Sequence, residues 1–420
     1  MKSPKPLFAL ALAACLTLSG CAAPSSEAAP SSEAAPGQPA AAWPGSDTPI
    51  THVAYVDSFS EYAASPDGLY TVSQVRLGGQ NLFYVDASSR QETYLCAVPN
   101  CTHDSEACTS WLPLDGGYGS GLFFANGHLY AVQNSTTQSH GPRILQLDPD
   151  GANRKTVLEL QDGKRFLGSI FGYGSSFLME VTGVDENGGS HSRLERIDPA
   201  TGAREVVLEY PEQERQVFQL MGAAGTRLVY LCIDYEQRQY FTVDLSSPGA
   251  SLEHWQDNLL GPAHDNVTTY CTIQGDYFCT YDANTNRLGY QNLLTGETRE
   301  FDAPALAEGE RLFGLVHFFD DQFALTLDDA QNNVAWALLD TESGQLTGMR
   351  YRPTQENAHM IVADLGDQLI CRVRDGELPL KGQEQENLVG ELGYYSVYTV
   401  LTKEEFLQGA DGEEIPFPGA

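Results

Sequence analysis

Gly127-His128-Leu129-Tyr130 is one of seven runs in which turn residues open directly into large apolar side chains. The others are Gly68-Leu69-Tyr70, Ser175-Ser176-Phe177-Leu178, Gly225-Thr226-Arg227-Leu228, Gly275-Asp276-Tyr277-Phe278, Asp321-Gln322-Phe323-Ala324 and Gly366-Asp367-Gln368-Leu369. Their first large apolar residues fall at 69, 129, 177, 228, 277, 323 and 369, so the steps are 60, 48, 51, 49, 46 and 46 residues. A second signal runs in phase 15 to 20 residues later, an alternating segment that ends in Asp and a turn. It reads Tyr84-Val85-Asp86, Gln146-Leu147-Asp148, Arg196-Ile197-Asp198, Thr242-Val243-Asp244 and Leu338-Leu339-Asp340, with Gln291-Asn292 in the fifth repeat.

Period-2 alternation bounded by Gly, Pro, Asn and Asp specifies strands. A period near 48 with about four strands per repeat specifies propeller blades. The expected fold is therefore all-β: a seven-bladed β-propeller of four-stranded antiparallel blades over residues 50–420. The alternating run His52-Val53-Ala54-Tyr55-Val56 is one strand too many for the first blade. It is expected to close the ring, pairing beside Tyr394–Leu401 as the outer strand of the last blade, because an open sheet edge invites unwanted pairing.

Outside the repeat the chain changes character. Lys2 and Lys5 precede an uncharged run from Leu7 to Leu18. That run is too short to span a bilayer, and it reads as the apolar core of a signal peptide over residues 1–20. Its ending, Leu18-Ser19-Gly20-Cys21, resembles the bacterial lipobox. The resemblance implies cleavage before Cys21, lipid on its sulfur, and a cell-membrane location on the extracytoplasmic side. Residues 21–49 are rich in Ala, Pro, Ser and Glu and carry Pro-Ser-Ser-Glu-Ala-Ala twice. With little apolar surface to bury, they are expected to be a disordered tether. Removing the leader takes away two lysines and no acid, so the formal charge moves from −32 to −34. Such a surface repels nucleic acid and anionic headgroups. The expected partners are the bilayer, through the lipid, and a protein or glycan ligand.

Residues 95–112 lengthen the first step and form a Cys/His-rich insertion between blades one and two. It contains Cys96, Cys101, His103 and Cys108. Three thiols and an imidazole are the soft ligand set of one structural zinc ion. The same thiols also permit a single disulfide with His103 merely polar, as an exported location allows. Cys271 and Cys279 flank Gln274-Gly275-Asp276, and a three-residue loop would place them opposite each other, within disulfide reach. Cys232 and Cys371 lie in apolar strands and read as core thiols.

Ser65-Pro66-Asp67-Gly68 and Leu147-Asp148-Pro149-Asp150-Gly151-Ala152-Asn153 resemble turns of TolB-like and low-density-receptor-type propellers. The insertion, a Cys-x4-Cys-x-His-x4-Cys pattern, and the ending Tyr398–Phe406 resemble lipoprotein propellers of Gram-positive anaerobes. That resemblance implies fold and location and brings no activity with it.

Signals for catalysis are weak. The chain has no Gly-x-Ser-x-Gly elbow, no His-Glu-x-x-His and no phosphate loop. Asp148–Asn153 has oxygen ligands in a tight turn but lacks the distal Glu of an EF-hand loop. The pairs Asp320-Asp321 and Asp328-Asp329 are unremarkable among 56 acids. The expected function is that of a binding or scaffolding lipoprotein. The alternative is a cell-surface enzyme acting on glycans through carboxylates in the central funnel.

Overall fold

The computed structural model describes residues 43–419 apart from 56–60, 106, 114–120, 135–139, 162, 185–189, 211–216, 234–237, 257–268, 275, 283–284, 303–310, 320–321, 329–333, 341–342, 344, 349–359 and 381–391. Seven antiparallel sheets follow one another along the chain. Sheet one holds Tyr62–Ser65, Gly68–Arg76, Gly79–Asp86 and Gln91–Tyr94, and sheet two Gly121–Ala125, His128–Gln133, Arg143–Leu147 and Lys155–Glu159. Sheet three holds Lys164–Tyr173, Ser176–Val184, Ser190–Ile197 and Arg204–Glu209, and sheet four Val217–Ala224, Arg227–Ile233, Arg238–Asp244 and Glu253–Gln256. Sheet five holds Thr269–Gln274, Tyr277–Asp282, Arg287–Asn292 and Thr298–Asp302. Sheet six holds Arg311–Phe319, Gln322–Asp328, Val334–Asp340 and Leu346–Gly348, and sheet seven Met360–Asp364, Gln368–Pro379 and Leu392–Thr402.

Each of the seven sequence runs falls at the turn from the first to the second strand of its sheet. The second signal is the end of each third strand in sheets one to six. Neighbouring sheets bury their faces on one another. Phe123, Tyr130 and Ile144 of sheet two meet Phe166, Phe177 and Ile197 of sheet three. Leu338 of sheet six joins Leu369 and Leu401 of sheet seven. Leu69 and Val85 of sheet one share a cluster with Ile370, Tyr398 and Val400 of sheet seven.

The N-terminal strand does not pair where the pattern placed it. Ile50–Tyr55 adds instead to the first strand of sheet three, with Ile50 opposite Tyr173 and Tyr55 opposite Ser169. The partner of Tyr398 beside sheet seven is Ile415, through an isolated bridge. Its N–H donates to the Tyr398 carbonyl over 2.8 Å. Beyond it, Phe417 stacks on Tyr395 with ring centroids 4.3 Å apart and reaches Phe83 of sheet one at 4.8 Å. The apolar fragments after the last strand thus fill the gap expected for the N-terminal strand, because a bulky aromatic anchors a seam without a full strand of ladder bonds.

The expected tether boundary at Pro49 also shifts. Trp43 already packs: its Nε1 donates to the Leu245 carbonyl over 3.1 Å, its ring meets Tyr173, and the Arg196 guanidinium lies 5.0 Å from its centroid. Cys21 and the signal peptide lie outside the described residues.

Glu92 is a cost at the meeting of sheets one and seven. It is 6% exposed, Thr71 Oγ1 donates to its Oε1 over 3.3 Å, and its Oε2 is buried without a partner. Burial pushes its carboxyl up to about 8, against the Thr71 hydrogen bond. Between the ordinary carboxylate pKa and about 8 the folded chain keeps a proton that the unfolded chain has lost, so stability falls as pH rises across that window. Two outcomes are expected. Glu92→Gln flattens the decline in melting temperature between pH 5 and 8. Phe417→Ala costs about 3 kcal/mol in denaturant unfolding, as burial of a large aromatic implies.

Candidate metal centre

The fourth strand of sheet one is split. Gln91–Tyr94 pairs with one half of Gly79–Asp86, and after the insertion Trp111–Pro113 returns to pair with the other half. The insertion is therefore a large bulge in an outer strand, and Trp111 and Leu112 at its expected end belong to the sheet. Trp111 lies flat over Gly79, where an added Cβ would sit 2.2 Å from its ring. Two tight turns curl the bulge inward: the Cys101 N–H donates to Val98 O, and the Cys108 N–H to Ser105 O. Asn100 and His103 adopt left-handed backbone at φ 57° and 53°.

This curl brings the four expected ligands together. The ligand atoms of Cys96, Cys101, His103 and Cys108 all lie within 4.8 Å of one another. Two sulfurs held about 2.3 Å from a zinc ion in a tetrahedron are about 3.8 Å apart, so the cluster has the right size. His103 Nδ1 stands 3.2 Å from Cys108 Sγ, and the three thiols are not joined to one another. The group could hold a metal ion.

Residues from other strands set the ligands. The His103 ring stacks on Tyr94 with centroids 4.0 Å apart. Asn81, fully buried, donates from Nδ2 to the His103 carbonyl and to Ser110 Oγ, each over 3.0 Å. Ser110 Oγ in turn lies 3.0 Å from Cys108 Sγ. Arg154, from sheet two's outer turn, donates to the Thr109 and Trp111 carbonyls over 2.9 and 2.7 Å. Gly151 in that turn has φ 83°, and a Cβ there would lie 2.9 Å from the Leu95 carbonyl. Arg154 and Gly151 thus tie the bulge of sheet one to sheet two. Sequence patterning could not name Asn81 or Arg154, which act from another strand and another turn through carbonyls, nor Ser110, a hydroxyl of the insertion itself that no ligand spacing marks.

Electrostatics distinguish the thiols. Burial pushes Cys96 up, but the Val98 N–H and the Cys108, Thr109 and Cys101 side chains outweigh it, leaving the thiol below its ordinary value. Burial pushes Cys108 up to about 11, against its hydrogen bonds to Ser110. Coordination needs all three as thiolates, so metal binding releases protons and weakens as pH falls.

The other expected site residues are not assembled. The turn after Gln274 has two loop residues rather than three, with Gln274 opposite Tyr277. That offset sets Cys271 opposite Thr280 and Cys279 opposite Thr272, so the expected Cys271–Cys279 disulfide is not formed and Cys279 is a buried free thiol. The Asp148–Asn153 oxygens are engaged in their own turn, Asn153 Nδ2 donating to Asp148 Oδ2 and the Ala152 N–H to Asp150 Oδ1. Asp320-Asp321 and Asp329 lie outside the described residues.

The N-terminal strand lies against the first strands of sheets two, three and four. Two cavities flank it, about 460 Å³ beside Met221 and Ile273 and about 560 Å³ beside Phe124 and Ala125. Among the described residues, Asp276 is the carboxylate that lines them.

No family model and no curated protein matches the chain. Two crystal structures of a puromycin hydrolase are similar to it, with TM-scores of 0.52 and 0.51 at 12% and 13% identity. Each match covers 86% of this chain, which spans about half their length, 54% and 55%. An oligogalacturonate lyase from Vibrio parahaemolyticus matches over 82% of this chain and 90% of its own, at 11% identity and a TM-score of 0.47. The fold is a β-propeller.

If the cluster holds an ion, the chain purified without chelator carries one zinc per molecule by elemental analysis. Cys108→Ala abolishes it. Arg154→Ala keeps the zinc but lowers the melting temperature by part of what chelation removes. Stoichiometric disulfide without metal would overturn the assignment.

Proposed function

We propose that this chain is a lipid-anchored, extracytoplasmic β-propeller that binds or scaffolds a partner, and that its metal is a structural zinc. The observation that carries the reading is the metal cluster itself. All four positions of a tetrahedral ion are supplied by Cys96, Cys101, His103 and Cys108, which leaves none open for substrate or water. A closed site holds structure together, here at the join between sheets one and two. The cavities among the first strands argue the same way, since the described residues bring a single carboxylate, Asp276, to their walls, and acid–base chemistry on glycans calls for two.

The ring in this reading has seven blades, closed noncovalently where Ile415 and Phe417 join sheet seven to sheet one. Anchoring rests on Cys21 and the apolar run before it. A lipidated cysteine ahead of a tether holds the domain at the membrane without a spanning helix, and no helix among the described residues is long and apolar enough to cross one. The full chain expressed in a bacterial host should partition into detergent with the membrane fraction, and Cys21→Ala should release it to the aqueous phase. Unchanged membrane retention would refute the anchor.

A further inference from the structure

The N-terminal strand is held by its ladder to sheet three, by Ile50 in the core and by the His52 ring against Phe171 at 5.3 Å. Of its described side chains Ile50 alone is buried, Val53 is half-buried, and Thr51 and His52 are exposed toward the flanking cavities. Its register slips between His52 and Ala54. It stands at the end of the sheet-three strand order, beside the first strands of sheets two and four.

Small residues flank it. Gly172 is its direct neighbour across the ladder, and a Cβ there would lie 3.0 Å from Thr51 Oγ1. Ala64, Ala125, Gly222 and Ala223 line the two cavities. Small residues on several sheets leave room for an extended chain and for alternate side chains on both of its flanks. Strand addition to an exposed edge is a general mode of peptide recognition, with affinity from main-chain bonds and selectivity from pockets for alternate residues.

We propose that the inner edge of sheet three, Lys164–Tyr173, is a strand-accepting site for an extended peptide, which the N-terminal strand occupies in cis. The occupant is a segment of about six residues, roughly 20 Å long. It carries small or β-branched side chains where it crosses Gly172. It is uncharged or basic, because the mature chain's charge of −34 disfavours an acidic one. The proposal rests on the binding reading and names its site and partner class. Cys21 lipidation and zinc content are measured separately, so failure here leaves those assignments standing.

The cis strand competes at an effective concentration near millimolar, so a free peptide binds well only once that strand is weakened. Successive residues of a strand point their N–H groups to opposite edges, so Thr51→Pro with His52→Pro removes a donor to sheet three whichever residue supplies it. The probe is a fluorescein-labelled peptide, Ile-Thr-His-Val-Ala-Tyr, read by anisotropy against the full chain. We expect saturable binding to the double-proline variant at least tenfold tighter than to the parent, and none of a control peptide with proline at its second and third positions. Hydrogen exchange on the unsubstituted chain gives an independent measure. Amides of 50–55 and 164–173 should exchange faster than those of Ser176–Val184, and slow again in the variant when the probe is bound. Absence of saturable binding to a variant that keeps its zinc and far-ultraviolet dichroism would overturn the proposal. So would equal binding of the control peptide, or protection of 50–55 equal to that of Ser176–Val184 in the parent.

Discussion

The architecture depends on a short hydrogen bond made repeatedly at the end of a strand. Asp86 Oδ1 accepts the Ser89 N–H over 2.6 Å, Asp198 Oδ1 the Ala200 N–H over 2.9 Å, and Asp244 Oδ1 the Ser246 N–H over 2.9 Å. Asn292 Oδ1 takes the N–H groups of Leu294 and Thr295, and Asp340 Oδ1 that of Ser343. In each case a side chain satisfies backbone donors in the reversal from third to fourth strand, so the chain turns without leaving them orphaned. Asn292 shows that the carbonyl-type oxygen matters and the charge does not. Where the acceptor is a carboxylate, the bond favours its ionised form: the Ser89 N–H holds Asp86 below its ordinary value. Every outer strand is positioned by such a turn in sheets one, three, four, five and six, and the packing between sheets inherits its register from there.

That locality explains what the sequence disclosed. A turn written into three or four consecutive residues can be read without knowing the fold, and the seven hairpins and six third-strand ends lie where the pattern put them. The Cys/His cluster was legible for a related reason, since thirteen consecutive residues with few large apolar side chains cannot fold by burial and call for a covalent or coordinate tie. Pairings without a local determinant were not legible. Ile50–Tyr55 has strand character but nothing in it specifies sheet three over sheet seven. Ile415 and Phe417 act as single contacts, too sparse to register as a strand. Cys271 and Cys279 turned on whether Gln274 belonged to the loop, and a one-residue difference in loop length moves every side chain to the other face.

The joins between sheets are less uniform than the sheets. Between sheets three and four Glu180 is buried, with Tyr210 donating to Oε1 over 2.5 Å and Tyr210 in turn 3.1 Å from Tyr230. Burial pushes that carboxyl up to about 7. Glu92, with its longer 3.3 Å bond from Thr71, is pushed further, to about 8. The ordering follows from partner quality: a short hydrogen bond to the charged form offsets more of the desolvation than a long one. The join between sheets one and seven thus sets the poorly solvated Glu92 beside a cluster of Leu69, Val85, Ile370 and Val400 and the contact of Phe417 with Phe83. The join between sheets one and two carries Arg154, which reaches the bulge that holds the Cys/His cluster. Reinforcement sits beside the most irregular strand, the split outer strand of sheet one, where ladder bonds alone would leave a bulge of sixteen residues, 95–110, unsupported.

Gly172 bears on whether the N-terminal strand belongs where it lies. A glycine within a strand forfeits side-chain packing and costs conformational entropy, so its presence calls for a close neighbour. Within sheet three Gly172 pairs with Phe177, which imposes no such limit. The neighbour that does is Thr51, whose Oγ1 would stand 3.0 Å from a Cβ, with Val53 Cγ2 at 3.5 Å behind it. Gly174, in the turn beyond the strand, has φ 62° and would meet Pro44 and Thr48 only at ordinary contact distances of 3.4 Å or more. The positive φ of the turn calls for glycine at 174, whereas Gly172 faces Thr51 and Val53 across the ladder. A segment merely resting in an open space would not require the wall to thin beneath it. At Gly172 the first strand of sheet three gives up a side chain where Thr51 lies across the ladder, and a Cβ there would press on the Thr51 hydroxyl.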